Sequence, residues 1–393
     1  MRCAALFSDR GGFFLETGRA TVREAKMELN EARDAIRKAD EEMAKLFVQR
    51  MEAVRKVAEY KRAHGLPIED KEQEARVIEG RSALVEDPEL RSFYVRFLSE
   101  TIEVSKSYQH RLTEGMRVAY SGVEGAFAHV AAHRVFPDGT AVAYPTFEAA
   151  YAAVEAGECD VAVLPIENSF AGEVGRVLDL MFSGALFVNG VYDLSITQNL
   201  LGVPGAKLSD VKTVVSHPQA LAQCGAYLRE HGYKTETAEN TALAAKAVAE
   251  RGDVSVAAVA SGETAELYGL SILDHDVNES RTNTTRFAVF SRAENHSSGH
   301  DGGAFLLLFT VKDEVGGLAT AINLISAYNF NLRVLRSRPM KDLPWHYYFY
   351  AEAEGDAASD AGRRMLAALR GVCPMVKIVG QYKAAGERGG QTI

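Results

Sequence analysis

Three cations share one apolar stripe near the start of the chain. From Asn30 to His64 the sequence has neither Gly nor Pro and is rich in Ala, Glu, Lys, Arg and Met, which predicts one continuous helix stopped by Gly65 and Pro67. Steps of three and four along it give Arg33, Ile36, Asp40, Met43, Phe47, Arg50, Val54, Val57 and Lys61, a face suited to a partner helix. One long cation in such a seam can snorkel to its edge. Three together point to a small polyanionic ligand held between helices, because a buried cation is costly unless paired. Polar groups also enter the apolar faces of the next two predicted helices, about Glu69 to Val85 and Pro88 to Leu112. Asp70 and Glu74 lie one turn apart, and Ser105 and Gln109 fall among Leu98, Ile102 and Leu112.

A second set of reactive side chains sits where short apolar runs end: "SGVEG" after Tyr120, "ENS" after Ile166, "SHPQ" after Val215, and "NTTRF" before a run of strand-like alternation. Singly, each is an ordinary turn or cap; Ser216, for one, can cap the helix that follows His217. Alternating strands and helices make an α/β sheet, however, and such sheets bind ligands beyond the carboxyl ends of their strands.

The elements that must hold these residues divide the chain. At 393 residues, with 47% apolar and 25% charged, it has room for two or three domains at roughly 150 residues each. We expect an N-terminal extension over 1–29, loosely ordered; an all-α domain over 30–113; a two-lobed α/β domain over 115–293; and an α+β ferredoxin-like domain over 303–385. The strands of the α/β domain are "MRVAY", "TAVAY", "DVAVLPI", "VKTVVS", "VSVAAVA" and "RFAVF". The last domain reads strand, helix, strand, strand, helix, strand. A polar, glycine-rich linker at 291–303 precedes it, and a frayed tail follows from Ala384. The 30–64 helix, about 50 Å long, is too long to be covered by its two successors, so a second copy of the chain is expected to cover it.

A net charge of −9 argues against nucleic-acid or anionic-membrane binding. No segment has the length of a membrane span, and Asp9 and Arg10 interrupt the opening before a secretory core can form. Cys3, Cys159, Cys224 and Cys373 lack disulfide or zinc spacing, and His129, His133, His217 and His231 lack metal-ligand pairing. A cytoplasmic protein without metal or cofactor is expected.

The helical region resembles the chorismate mutase domain, whose pattern falls on Arg33, Arg50, Lys61, Asp70, Glu74, Ser105 and Gln109. The resemblance implies an intertwined dimer, with Arg33 reaching the neighbouring subunit's site. It also implies a pericyclic rearrangement of chorismate to prephenate. Arginine forks suit the two carboxylates, Lys61 and Gln109 can donate to the ether oxygen, and Asp70 or Glu74 can accept from the ring hydroxyl. Where the family has Arg between the two acids this chain has Gln73, with Arg76 one turn further on as a substitute.

"VLPIENS", "SHPQALAQC", "ASGETAELYGL" and "NTTRF" occur in the order seen in prephenate dehydratases, from Met116 to Arg292. That resemblance implies two α/β lobes similar to periplasmic binding proteins, and conversion of prephenate to phenylpyruvate with loss of carbon dioxide and water. Thr285 is the residue the pattern singles out, as a hydrogen-bond donor to the departing hydroxyl. Glu167, Asn168, Ser169, Ser216, Gln219, Gln223 and Glu239 are the implied substrate contacts. Arg286 either binds a carboxylate or braces the cleft. In "YSGVEGAFAH", Val123 and Ala126 replace the family's Pro and hydroxyl residue, leaving backbone N–H groups near Gly122 and Gly125 as possible contacts.

"GGLATAINLI" and "LRSRPMKDLPWHYYFY" resemble the phenylalanine-binding ACT domain. The implied site, at a dimer interface, is Gly316, Gly317, Leu318, Asn331, Ser337, Arg338 and Pro339. Arg336 stands where the family has Glu, a charge reversal expected to alter the response. The expected protein is a bifunctional enzyme of phenylalanine biosynthesis, taking chorismate and prephenate as substrates and L-phenylalanine as an inhibitor, in a homodimer or higher homo-oligomer. The alternatives are a dehydratase with a weak or inactive mutase domain, a preference for arogenate, and a non-catalytic amino-acid sensor.

Overall fold

The computed structural model describes residues 11–280, 282–294, 303–341 and 343–383, with side chains from residue 29 onward. Residues 1–10, Arg281, most of the expected linker and the tail from Ala384 lie outside the described residues. The chain forms two compact units, Met1–Thr113 and Glu114–Ile393.

The first unit holds helices Gly11–Ala63, Lys71–Ser82 and Pro88–Glu114. The expectation of a loose extension is corrected for residues 11–29, which continue the long helix. After Gly18 the run "RATVREAKMEL" is as rich in good helix formers as the segment it joins. The middle helix is shorter than predicted because Asp70 stands outside it as the N-cap, its carboxylate accepting from the Gln73 N–H at 2.9 Å. Among the described residues of this unit only Ala58, Leu98, Ser105 and Gln109 are buried, whereas Ile36, Phe47, Phe93 and Phe97 are each about half exposed or more.

In the second unit all six predicted strands form. The first sheet places Thr140–Tyr144, Arg117–Ser121 and Val161–Asn168 parallel, then adds Thr284–Ser291 and Phe187–Ser195 antiparallel. The second runs Ser271–Asp274, Asn199–Gly202, Val256–Ala260, Thr213–Ser216, Lys234–Thr237. The chain leaves the first sheet after Ser195 and re-enters it at Thr284, so the two sheets are two lobes joined by two crossings. Strand Lys234–Thr237 escapes prediction because it is an exposed edge with four polar residues and no alternation.

Residues 303–383 form the expected strand, helix, strand, strand, helix, strand unit, with sheet order Leu332–Pro339, Tyr347–Glu354, Gly303–Thr310, Met375–Lys383. One face of this sheet carries Phe305, Leu307 and Phe309 against its own helices, Gly317–Ala327 and Asp360–Val372. The other sends Leu306, Leu308, Tyr348 and Tyr350 into the same core as Leu164, Ile166, Ala288 and Phe290 of the first α/β sheet. The contact is close enough that a Cβ at Gly380 would collide with the backbone carbonyl of Val188. The C-terminal domain is therefore docked face to face on the sheet that carries Thr285.

Candidate active sites

In the helical unit, Ser105 joins two of the predicted residues. Arg50 donates to the Ser105 hydroxyl and, at 3.3 Å, to the carbonyl of Thr101, while Gln109 donates to the carbonyl of Ser105 at 3.4 Å. Burial lowers the Arg50 pKa, and no acid takes part in that shift. Gln109 is buried with its Oε1 unpartnered. A half-buried guanidinium and an orphan amide oxygen on facing helices are what a bound anion that also carries a hydroxyl would satisfy. Lys61 donates to the carbonyl of Ile68 at 2.6 Å. Glu74 pairs with Lys106 at 3.2 Å, and Lys106 keeps a raised pKa because Glu103 and Glu74 outweigh the lowering by burial. Arg33 and Gln73 are exposed. Arg76 does not take the missing arginine's place within this chain: it is bound to Glu72 of its own helix.

The second site grows from one irregularity in a strand ladder. Strands Val161–Asn168 and Thr284–Ser291 pair Thr285 with Asn168 and Arg286 with Glu167, but Phe287 with Pro165, so Ile166 is an extra residue. Leu164 and Ile166 face the docked C-terminal sheet. Regular alternation would send Asn168 the same way; the bulge turns it to the side of Thr285. There the Asn168 amide oxygen accepts from the N–H groups of Phe170 at 3.0 Å and Ala171 at 2.8 Å. Its nitrogen must therefore point the other way, and it donates at 2.9 Å to both the Thr285 hydroxyl and Asn283. Because the Thr285 hydroxyl accepts this bond through a lone pair, its proton is not spent on Asn168.

Asn283 also lines a cleft of about 300 Å³, together with Phe170, Ala171, Gln219, Ala222, Gln223, Asn278, Glu279 and Ser280. Thr285 is outside this lining and joins it through Asn168. Gln219 and Gln223 come from helix Pro218–Gln223, whose N-cap is His217 and not Ser216.

Several expected substrate contacts are directed elsewhere. Ser216 is fully buried and donates to the Val259 carbonyl at 2.6 Å. Ser169 accepts from the Thr284 N–H at 3.0 Å and donates to the Thr282 carbonyl at 3.2 Å, stitching the turn to the strand. Glu239 is exposed beside the N-cap Asn240. The N–H groups of Gly122 and Gly125 are used within the fold, by the Tyr144 carbonyl at 2.9 Å and by His129 at 3.2 Å, so they are not open contacts.

Behind the ladder, two arginines and two acids cross between domains. Arg286 forks onto Glu352 of the C-terminal sheet at 2.9 and 3.3 Å, and lies 3.4 Å from Asp193. Burial alone would lower its pKa, but the bonds and charge of Glu352 raise it. Arg286 is thus a brace. Arg336, the charge reversal, pairs with Glu167. Tyr350 is buried among all four charges; its pKa is raised mainly by burial, with Glu352 adding to the rise.

Arg338 likewise reaches out of its domain, to Glu173 at 2.6 Å and Asp179 at 3.1 Å. Asn331 donates to Glu354 at 3.0 Å, and Ser337 and Pro339 are exposed on the edge strand. Gly316 has φ +83 and caps helix Gly317–Ala327; a Cβ on Gly317 would lie 2.6 Å from the Lys312 carbonyl, and Leu318 packs on the domain core. Asn283 and Glu352 were not singled out from sequence. Asn283 lay inside the quoted "NTTRF", and Glu352 is an acid in the buried part of "YYFYAEAE", which calls for a buried cation.

No group of three or more His, Cys, Asp or Glu suited to a metal occurs among the described residues, and no helix there is long and apolar enough to cross a membrane.

Residues 118–295 match the prephenate dehydratase family and residues 32–110 the type II chorismate mutase family. The bifunctional chorismate mutase/prephenate dehydratase of Aquifex aeolicus (strain VF5) is 30% identical over 367 residues, covering 91% of this chain and 98% of that protein. Arogenate dehydratase/prephenate dehydratase 1, chloroplastic, of Arabidopsis thaliana is 33% identical over 281 residues, covering 68% of this chain and 72% of the relative. The crystal structure of prephenate dehydratase from Arthrobacter aurescens in complex with L-Phe is 27% identical with a TM-score of 0.64, covering 71% of this chain and 93% of that one. Matched by both family models, and nearly end to end by a bifunctional relative, the protein belongs to the bifunctional chorismate mutase/prephenate dehydratase family.

Proposed function

We propose that Thr285, oriented by Asn168, donates a hydrogen bond to the hydroxyl that leaves prephenate. As the ring carboxylate departs as carbon dioxide, its bonding electrons flow into the ring and expel that hydroxyl, which takes up a proton to leave as water; phenylpyruvate remains. Aromatisation drives the step, so positioning and a well-placed donor suffice. Gln219, Gln223 and Asn283 supply polar groups for the substrate's oxygens. The bond that Asn168 donates to the Thr285 hydroxyl oxygen at 2.9 Å, which leaves the hydroxyl as a donor, is the observation that carries this reading.

For the mutase step, Arg50 and Lys61 hold chorismate's carboxylates and ether oxygen, with Gln109 as second donor and Ser105 orienting Arg50. Arg33 is exposed on its own chain, in keeping with service in a neighbour's site. The open faces of Ile36, Phe47, Phe93 and Phe97 support a homodimer through the helical unit. Sedimentation at micromolar concentration is expected to give a dimer or a multiple of it; a monomer would remove this proposal.

Residues 303–385 are read as an ACT domain sensing L-phenylalanine, supported by their strand order and by the relative that binds L-Phe. Cys159, Cys224 and Cys373 are buried and free, which suits a reducing cytoplasm. The test is phenylpyruvate release from chorismate and, separately, from prephenate, with and without L-phenylalanine. Both substrates should yield product, and Lys61→Ala should lower chorismate turnover by roughly 10²-fold or more while leaving prephenate turnover unchanged. Product from prephenate alone would leave an inactive mutase domain. The Arabidopsis relative favours a second reading, arogenate as substrate, which a comparison of kcat/KM on the two would decide.

A further inference from the structure

Glu167 and Asn168 are adjacent residues at the end of a bulged strand, and they point to opposite sides. Asn168 orients Thr285; Glu167 meets Arg336 of the C-terminal domain. On the cleft side the strand end is held by the ladder, by Ser169 and by the Asn168 bonds; on the side of the C-terminal domain the Glu167 carboxylate is held by Arg336. The opposite residue of the pair, Arg286, is already fixed by Glu352. Arg336 completes a four-charge clamp behind the two residues placed at the reacting end. Both partners are about a third exposed or less, which shields the pair from full solvent screening.

We propose that Arg336 is a positioning residue for the dehydratase reaction: through Glu167 it fixes the strand end from which Asn168 aims Thr285. The charge reversal noted in the sequence then acts on catalysis and not only on ligand sensing. The proposal rests on the reading of Thr285 and Asn168 as the reacting end, which Thr285→Ala tests separately.

The test uses the full-length protein, with its own mutase activity as the internal control for folding and concentration. Arg336→Glu sets two carboxylates together and is expected to lower kcat on prephenate roughly tenfold or more, a misplacement effect, with KM within about twofold. Arg336→Lys should keep kcat within about twofold, and mutase turnover should not move in either variant. Lys341→Gln is the docking control: it removes a contact between the same domains, Lys341 to Asp179 at 3.0 Å, that does not touch Glu167, and should leave kcat unchanged. If Arg336→Glu loses mutase activity as well, Arg336→Gln replaces it, with a kcat loss of at least about threefold expected. An unchanged kcat in the Arg336 variants, a rise in KM alone, or an equal kcat loss in Lys341→Gln would each overturn the proposal.

Discussion

Thr285→Ala is expected to lower prephenate turnover by about 10²- to 10³-fold, the usual scale for losing one donor aimed at developing charge, and to leave chorismate rearrangement untouched. The Asn168 nitrogen that bonds the hydroxyl at 2.9 Å is also bound to Asn283 at 2.9 Å. With the hydroxyl gone, that amide is held back by the Phe170 and Ala171 N–H groups on its oxygen and cannot swing forward to replace it. Thr285→Ser keeps a hydroxyl on the same Cβ and should retain most of the turnover. The loss should fall in kcat more than in KM, because the bond to the departing oxygen strengthens as charge collects there. Full turnover by the alanine variant would remove Thr285 from the mechanism.

Arg286→Ala should destabilise the second unit by about 3–5 kcal/mol, because it strands a carboxylate inside the protein. Glu352 is 1% exposed and its fork with Arg286 is its main neutralisation. Melting curves of the variant and the wild type at neutral pH check this. A deficit under about 1 kcal/mol at neutral pH would mean that water or another group takes the arginine's place. Glu352→Gln with Arg286→Met, which removes both charges, should recover part of the loss.

Periodicity made much of this molecule legible. The six strands, the long helix and the C-terminal unit follow from alternation, the absence of breakers and glycine placement, all local properties. Arg50, Ser105 and Gln109 stand out in the sequence as polar residues in apolar stripes, but that Ser105 meets both of the others is visible only in the fold. What local pattern does not carry is partner choice. Whether Arg286 binds ligand or braces the fold was left open because Glu352 lies far along the chain and meets it only when two sheets dock. Glu167 looked like a substrate contact for the same reason, its partner Arg336 belonging to another domain. Ser169 and Ser216 look reactive in sequence, yet their protons go to backbone carbonyls that only the folded strands bring near. The long helix begins well before the Gly- and Pro-free run from Asn30, with Gly11 and Gly12 in its first turn, so absence of breakers marks its middle and not its start.

The extra residue at Ile166 gives the strand a parity. Every residue after it points opposite to where simple counting would send it, and Asn168 works only on the odd side of that count. A homologue lacking one residue between Leu164 and Glu167 would have no bulge, and plain alternation from Leu164 would still turn its glutamate to the C-terminal domain and its asparagine to the cleft. The bulge thus absorbs a one-residue insertion without exchanging the side chains offered to the two sides, and a strand of the present length that closed into a regular ladder would exchange them.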